Sequence, residues 1–476
     1  MPKMYSLYSL ASMLPRRSSQ AVRSRFSNRA RVSLALAIKQ SDPCSLQKGY
    51  TSQATSKTEP VLTSTRRDVI HKADNDAFSG AWLSRERCRQ RSLSSGNAMP
   101  AKSCHLQLQL SGLRLPCSRT RTEKRSMHLT ALLDTDLPLI QAPMAGSQDH
   151  RLAAAVCQAG GLGSIPCAML TPAALRQELQ AMRELTERPF NLNFFSHVPP
   201  EPDAAREAGW REALAPYYDE LGVDPASIAS GPGRLPFNAE AAALVEEFRP
   251  AVVSFHFGLP QPELLERVRR SGAKILSSAT TLNEALWLQA QGVDAVIAQG
   301  LEAGGHRGHF LDHDLSRQLG TFALLPQLVD ALSVPVIAAG GIADARGVAA
   351  AMTLGAAGVQ VGSAYLLCPE AATGAIHRAA LQSPAAHHTA LTNLFSGRPA
   401  RGIVNRLMRE LGPISTHAPE FPLATAAIAP LRAAAEAQGS GDFSPLWAGQ
   451  NVASCRPMPA AELTRELAQG FEAHLG

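Results

Sequence analysis

The 476-residue chain holds 46 Lys and Arg against 40 Asp and Glu, and the small basic excess is unevenly placed: residues 1–127 hold 23 against 7, the remainder 23 against 33. The pI near 9 therefore belongs to the first segment, and the acidic balance of the rest argues against nucleic-acid binding. No run reaches the roughly 18 apolar residues of a membrane span, and eight cysteines without a CxxC pair suggest neither a zinc site nor a disulfide framework but a reducing compartment.

Residues 1–126 are rich in Ser and Arg, have no acidic residue before Asp42, and show no sustained apolar period. Such a segment is expected to be disordered. Its first forty residues have the character of an organellar transit peptide. Alternatively Met127 opens a complete domain and the upstream residues are a misassigned start. The first reading implies a mitochondrial protein and the second a cytoplasmic one, with the folded domain at 127–476 in either case.

From Met127 onward, short β-prone runs alternate with helical patterns. The pairs are Pro138–Gln141 with His150–Ala159, Gly161–Ile165 with Ala173–Leu185, and Pro189–Phe195 with a longer insertion through Phe248. They continue with Ala251–Phe257 and Pro262–Ser271, Ala273–Ser278 and Leu282–Gln291, then Asp294–Gln299 and Thr321–Leu332. Val334–Ala339 with Ala345–Leu354 and Gly358–Gly362 with Ala371–Gln382 complete the series. Eight strand–helix units over about 250 residues predict an α/β fold of the (β/α)8 TIM-barrel class. An open doubly wound sheet is the alternative, but Gly160-Gly161-Leu162-Gly163 precedes a strand, whereas a dinucleotide fingerprint follows one. The segment from Ser383 onward is expected to cover the barrel mouth.

A barrel's active site lies at the carboxyl ends of its strands. Here those ends are Gln141 to Met144, Asn193, His256, Ser278, Gln299, Gly340-Gly341 and Gly362-Ser363. The only lysine after Met127 is Lys274, at the wrong end of its strand, which argues against Schiff-base chemistry. No carboxylate ends a strand; Glu302 is the nearest, and His309, Asp312 and His313 read as a polar loop, so no metal site is expected. Neutral amides and glycines remain. Asn193 and Gln299 each offer a donor and an acceptor, which suits the edge of a heterocycle such as a flavin, or else they satisfy local backbone groups. Gly340-Gly341 and Gly362-Ser363 occupy the loops where barrels often bind phosphate, or else make tight turns. Gln299 to Gly308 is a glycine-rich loop holding His306: a surface turn if taken alone, an active-site wall if placed after the sixth strand.

Several motifs in order resemble the class I nitronate monooxygenases, formerly called 2-nitropropane dioxygenases, over about residues 137–450. They are Gln141-Ala142-Pro143-Met144-Ala145-Gly146, Ala153 to Val156 with Ala159 to Gly163, Asn191 to Phe195, Ser254 to Pro260, Gln299 to Gly308, Ala338 to Asp344, Gln360 to Ser363 and Ser396 to Gly402. The resemblance implies an FMN-dependent barrel in which Met144, Asn193, Gln299, Gly304, Gly341, Gln360, Val361, Gly362 and Ser363 contact FMN. His306 stands where the family has its active-site histidine. It would orient the nitronate oxygens, adding charge stabilisation if protonated, or take the α-proton of a neutral nitroalkane. Ser147 stands in place of an expected glycine, and Ser363 in place of a frequent threonine. The implied reaction converts small alkyl nitronates of the propionate 3-nitronate kind, with O2 and via a flavin semiquinone, to a carbonyl compound and nitrite. Tyr217, Tyr218 and His256 are further candidates to line the pocket. The alternatives are an FMN-dependent enoyl-acyl-carrier-protein reductase, an NAD(P)H:quinone reductase, or a catalytically silent flavin-binding protein.

Overall fold

The computed structural model describes residues 129–228 and 233–475. The readings placed on residues 1–126 lie outside the described residues. Eight strands form one parallel sheet: β1 (Leu139–Gln141), β2 (Gly163–Pro166), β3 (Phe190–Phe195), β4 (Val252–His256), β5 (Lys274–Ala279), β6 (Ala295–Gln299), β8 (Val336–Ala339) and β9 (Gly358–Val361). β7 (Gly305–His306), β10 (Thr389–Thr392) and β11 (Ala400–Ile403) form a separate antiparallel sheet. The large sheet runs β1-β9-β8-β6-β5-β4-β3-β2, and a parallel bridge between Ile140 and Leu162 joins its two ends. Leu162 N donates to Leu139 O and Gln141 N to Leu162 O at 2.8 and 2.9 Å, so the barrel is closed and the open-sheet alternative is set aside.

Each predicted strand falls within three residues of its expected bounds. The helices begin where short polar side chains can hold the free backbone N–H groups of a first turn. Thr171 Oγ1 accepts from Ala174 N ahead of Pro172–Leu185, Thr281 Oγ1 from Glu284 N ahead of Leu282–Ala290, and Asp344 Oδ1 from Gly347 N ahead of Ala345–Thr353. One helix is shorter than expected. After β9 the chain makes a 3-10 turn at Ser363–Leu367, and Gly374 caps a helix over Ala375–Leu381.

Strand side chains alternate in direction, which divides the core in two. Leu139, Leu192, Phe255, Val296, Ala298 and Val361 face outward into the main cluster beneath the helices. Ile140, Leu162, Leu276, Ile297 and Ile337 face the barrel axis, where Leu129 and Leu133 from a helical turn at 129–133 join them as fully buried neighbours. Hydrophobic packing therefore closes the amino-terminal end of the barrel.

A second lobe lies over the opposite end. The helix Ala204–Leu221, from the insertion after β3, packs on Ala424–Ala437 through Trp210, Leu214, Tyr217, Tyr218, Ile428 and Leu431. The expected covering role of the carboxyl-terminal segment is realised through β11, which pairs Ala400 with His306 and Arg401 with Gly305. No helix among the described residues is long and apolar enough to cross a membrane.

Candidate active site

A cavity of about 200 Å³ opens at the carboxyl ends of the strands. The same alternation that sends Leu192, Phe255 and Ala298 outward turns Asn193, His256, Ser278, Gln299 and Gln360 into it. The glycine loop after β6 and the loops after β1, β8 and β9 supply much of the remaining wall. Of the residues singled out in the sequence, Met144, Asn193, Gln299, Gly304, His306, Gly341, Gln360, Gly362 and Ser363 line this one cavity. Val361 does not. Its parity on β9 directs the side chain into the outer core, where it is 1 % exposed, and its carbonyl accepts from Ala142 N at 2.8 Å. Tyr217 and Tyr218 are likewise remote from the cavity: Tyr218 Oη donates to Ala427 O at 2.8 Å, and the Tyr217 ring meets Phe443 edge-on at 5.2 Å.

The first loop is held from within. Gln141 Nε2 donates to Gln148 Oε1 at 2.7 Å, and that oxygen also accepts from Met144 N at 2.8 Å, which fixes Met144 at the rim. Ser147, the unexpected non-glycine, lines the cavity. Its N–H donates to Met144 O at 3.0 Å and closes the turn.

The glycine loop approaches the covering segment too closely at Gly304 to admit a side chain. A Cβ at Gly304 would meet Gly449 N at 2.5 Å and Ala448 C at 2.6 Å, both main-chain atoms. Gln299 engages its own loop: Nε2 donates to His306 O at 2.9 Å, and Oε1 accepts from Gly308 N at 2.7 Å. His256 Nε2 also lies 3.1 Å from His306 O, and its Nδ1 lies 3.1 Å from Ser278 Oγ. Three inward strand-end residues thus fix the main chain that bears His306. Arg307, wholly buried, donates to Gly300 O at 2.6 Å, Gln299 O at 2.8 Å and Gln318 Oε1 at 2.6 Å. The Glu302 carboxylate accepts from Thr321 N and Oγ1 and so caps the helix Thr321–Ala331, whose N-cap Gly320 has no side chain to do so. No group of three or more His, Cys, Asp or Glu able to hold a metal occurs among the described residues. Lys274 pairs with Asp294 at 3.9 Å at the far end of β5.

The His306 ring lies among Phe421, Trp447, Phe257 and Phe195, with centroids 5.2 to 6.1 Å away. Its Nε2 lies 2.8 Å from Ser396 Oγ, and no protein group among the described residues hydrogen-bonds Nδ1. Such exposure as the ring retains is toward the cavity. Burial, reinforced by Arg234, His256, Arg398 and His197, holds its pKa well below the usual imidazole value. Burial likewise pushes His256 and His197 down to about 4, against the opposing effect of their hydrogen bonds to backbone carbonyls. Burial and these positive neighbours thus favour the neutral form of the His306 ring.

The residues present suit a flavin mononucleotide. Gln360 Oε1 is buried without a hydrogen-bond partner, an acceptor awaiting a donor from within the cavity. Asn193 Nδ2 donates to Ser254 Oγ at 2.9 Å, which turns its carbonyl oxygen free of protein donors. Gly340 and Gly341 adopt φ of +119° and +76°, as a backbone approaching an anion requires. The covering segment closes on these loops: Asn451 Nδ2 donates to Gly341 O and Gly449 N to Ser363 Oγ, both at 2.9 Å.

Arg234, Phe195, Trp447 and Asn451 also line the cavity and were not anticipated as site residues. Strand-end reasoning reaches only residues next to a strand. These come from the β3 insertion and the covering segment, where no periodicity reports direction; Phe195, one place beyond Asn193 in parity, was the one within reach.

A closed (β/α)8 barrel with a cavity of amides, glycines and one aromatic-caged histidine at its carboxyl end has the architecture of a TIM-barrel enzyme. A family model described as nitronate monooxygenase matches residues 126–470. The nitronate monooxygenase of Pseudomonas aeruginosa is 44% identical over 349 residues, covering 71% of this chain and 97% of its own. That of Paraburkholderia phytofirmans is 44% identical over 360 residues, covering 74% and 97%. Among solved structures, nitroalkane oxidase from Streptomyces ansochromogenes superposes with a TM-score of 0.67 at 39% identity, covering 72% of this chain and 98% of its own. The chain belongs to the nitronate monooxygenase family and is an oxidoreductase acting on a small molecule. FabK from Thermotoga maritima, at 24% identity and a TM-score of 0.55 over 73% of this chain and 96% of its own, shares the fold alone.

Proposed function

We propose that this protein is an FMN-dependent nitronate monooxygenase that oxidises alkyl nitronates of the propionate 3-nitronate kind with O2 to a carbonyl compound and nitrite. The observation behind the reading is a neutral histidine in an aromatic cage, facing a cavity whose amide and glycine walls suit a flavin. Bound FMN supplies the electron acceptor between nitronate and O2. Asn193 and Gln360 would hold its ring edge, Gly304 would let the loop lie against it, and Gly341, Gly362 and Ser363 would hold its phosphate. Met144 forms the rim, and Gln299 acts through the His306 main chain.

His306 orients the substrate. The single Ser396 hydroxyl proton has two acceptors, His306 Nε2 at 2.8 Å and Arg398 O at 3.3 Å. The shorter contact favours donation to Nε2, which leaves the proton of the neutral ring on Nδ1, ready to donate to an anionic nitronate oxygen. Rotation of the hydroxyl toward Arg398 O gives the other tautomer, whose bare Nδ1 accepts an α-proton from a neutral nitroalkane. Phe421, Trp447 and Phe257 exclude water from this exchange.

The test is purification of the full chain, a visible spectrum, and nitrite release from propionate 3-nitronate under air. Flavin absorbance with nitrite production is expected. A colourless protein that FMN does not reconstitute overturns the reading, and rapid anaerobic bleaching by NADH or NADPH without nitrite release replaces it with a hydride-accepting one. The four cysteines among the described residues are free, three buried and one half-buried, which suits a reducing compartment, and we place the domain in the cytoplasm, or in mitochondria if residues 1–126 address it there. No nucleic-acid or membrane partner enters the reading.

A further inference from the structure

Among the described residues Arg234 is the only ionisable one besides histidine on the cavity wall, and none of their Asp, Glu or Lys lines it. Most arginines elsewhere in the described residues are engaged, and those without a side-chain partner, Arg211, Arg249, Arg270 and Arg465, do not line the cavity. Arg176, Arg267, Arg317 and Arg406 pair with carboxylates, and Arg307, Arg398 and Arg401 donate to backbone carbonyls. The Arg234 guanidinium makes neither kind of contact. Its side-chain neighbour is the Phe421 ring, 5.9 Å from Cζ, and that ring also lies 5.2 Å from His306. A half-buried guanidinium without a counterion is costly and is poised for an anion that enters the cavity.

The loop is not free to swing the group away. His197 Nε2 lies 3.1 Å from Arg234 O, and Phe237 N donates to Phe195 O at 2.8 Å, tying the segment to the end of β3. Arg234 accordingly stands on the Phe421 and His306 side of the cavity. The residues that would take a flavin phosphate contact a different set: Gly341 meets Glu302 and Asn451, and Ser363 meets Gly449.

We propose that Arg234 is the specificity-determining residue of this cavity, pairing with a carboxylate at the end of the substrate remote from the nitrogen that His306 orients. This rests on the nitronate reading above and adds to it the group that separates a carboxylated nitronate from a plain alkyl one. A planar guanidinium held beside the Phe421 ring presents an N–H fork suited to bidentate pairing with a carboxylate.

The test compares wild type, Arg234→Gln and Arg234→Lys, all loaded with FMN, on propionate 3-nitronate and on propyl 1-nitronate. For Arg234→Gln, KM for propionate 3-nitronate should rise about 10- to 100-fold, the range for losing a charge-assisted hydrogen bond. Its kcat, the KM for propyl 1-nitronate, the flavin content and the melting temperature should stay near wild type. Arg234→Lys should lie between. An equal KM rise for both nitronates overturns the proposal, because Arg234 then acts on the nitronate group or on the shape of the wall. Flavin loss overturns it in favour of a phosphate contact. Should wild type release nitrite from neither compound, the nitronate reading fails by itself, and binding still tests Arg234. Quenching of tryptophan fluorescence by 3-nitropropionate should then weaken in Arg234→Gln while that by 1-nitropropane does not, and equal quenching of both variants by 3-nitropropionate refutes the assignment.

Discussion

His306, His256 and His197 share an interior with Arg234 and Arg398, and burial and positive neighbours act on all three rings in the same direction. The consequence for pH is opposite to that of a histidine paired with a carboxylate. His256 titrates at about 4 in the folded chain against 6.5 when free, so between those values the unfolded chain binds more protons. Stability from this group is complete above pH 6.5, falls as pH drops toward 4, and changes no further below. The linked loss has an upper bound of about 3 kcal/mol, reduced by the ring's access to the cavity. Urea unfolding at pH 7.5 and pH 5 should show the difference, and His256→Asn should shrink it. For activity, kcat/KM should show no inflection near 6.5 that His306→Asn abolishes; one that it does abolish would place the His306 pKa at its ordinary value and restore the protonated mechanism. Ser396→Ala probes the tautomer. It should lower kcat/KM on nitronates by about 10-fold, the cost of about one hydrogen bond, with flavin content unchanged.

The elements show what periodicity can and cannot report. Eight strands were legible because the β-prone runs recur with amphipathic helices between them, and most inward residues at their ends followed from the barrel assignment. Val361 was misplaced for a reason also visible in the sequence: Gln360 and Gly362 share a parity, and Val361 has the other. The glycine loop was legible as a wall but not in its internal wiring. That Gln299 would grip His306 O and Gly308 N, and that Arg307 would gather Gln299 O and Gly300 O, depends on a reversal of the chain that no spacing specifies. Two neighbouring glycines test the wiring. A Cβ at Gly305 meets nothing within 4 Å, so Gly305→Ala should cost only the strain of its φ of +71°, about 1 to 2 kcal/mol. Gly304→Ala drives a methyl into the Gly449 main chain and should displace the covering segment, seen as lost flavin retention and a lower melting temperature. Equal behaviour of the two variants would mean that the loop and the covering segment are not in register. Arg307→Met should be more severe than Gly305→Ala, since it leaves Gln299 O and Gln318 Oε1 without a donor at about 1 to 3 kcal/mol each, Gly300 O keeping that of Ala303 N.

Across the whole molecule, the barrel separates stability from chemistry along its axis. Leu129 and Leu133 pack against Ile140, Leu276 and Ile337 at the amino-terminal end, while the cavity, its histidine and its arginine occupy the other. Side chains of Ile297 and Ala339 stand between, the only axial residues common to the inner cluster and the cavity wall. Leu129 is fully buried, and Gly358, whose Cβ would lie 2.5 Å from Leu129 Cδ2, shows how closely the plug meets the sheet. Leu129→Ala should therefore cost about 2 to 5 kcal/mol of stability by opening a hole in a packed interior. At a temperature where the variant is fully folded, its KM and kcat for the nitronate should match wild type. Gln299→Ala should do the reverse in emphasis: a smaller loss of stability with a large fall in kcat/KM, because the main chain bearing His306 loses one of its two side-chain holds. Measured together with their double variant, the two should add in stability within about 0.5 kcal/mol, as sites without shared partners do. A larger interaction energy, or a KM change in Leu129→Ala alone, would show that Ile297 and Ala339 transmit the state of the plug to the site, and that the two ends are coupled.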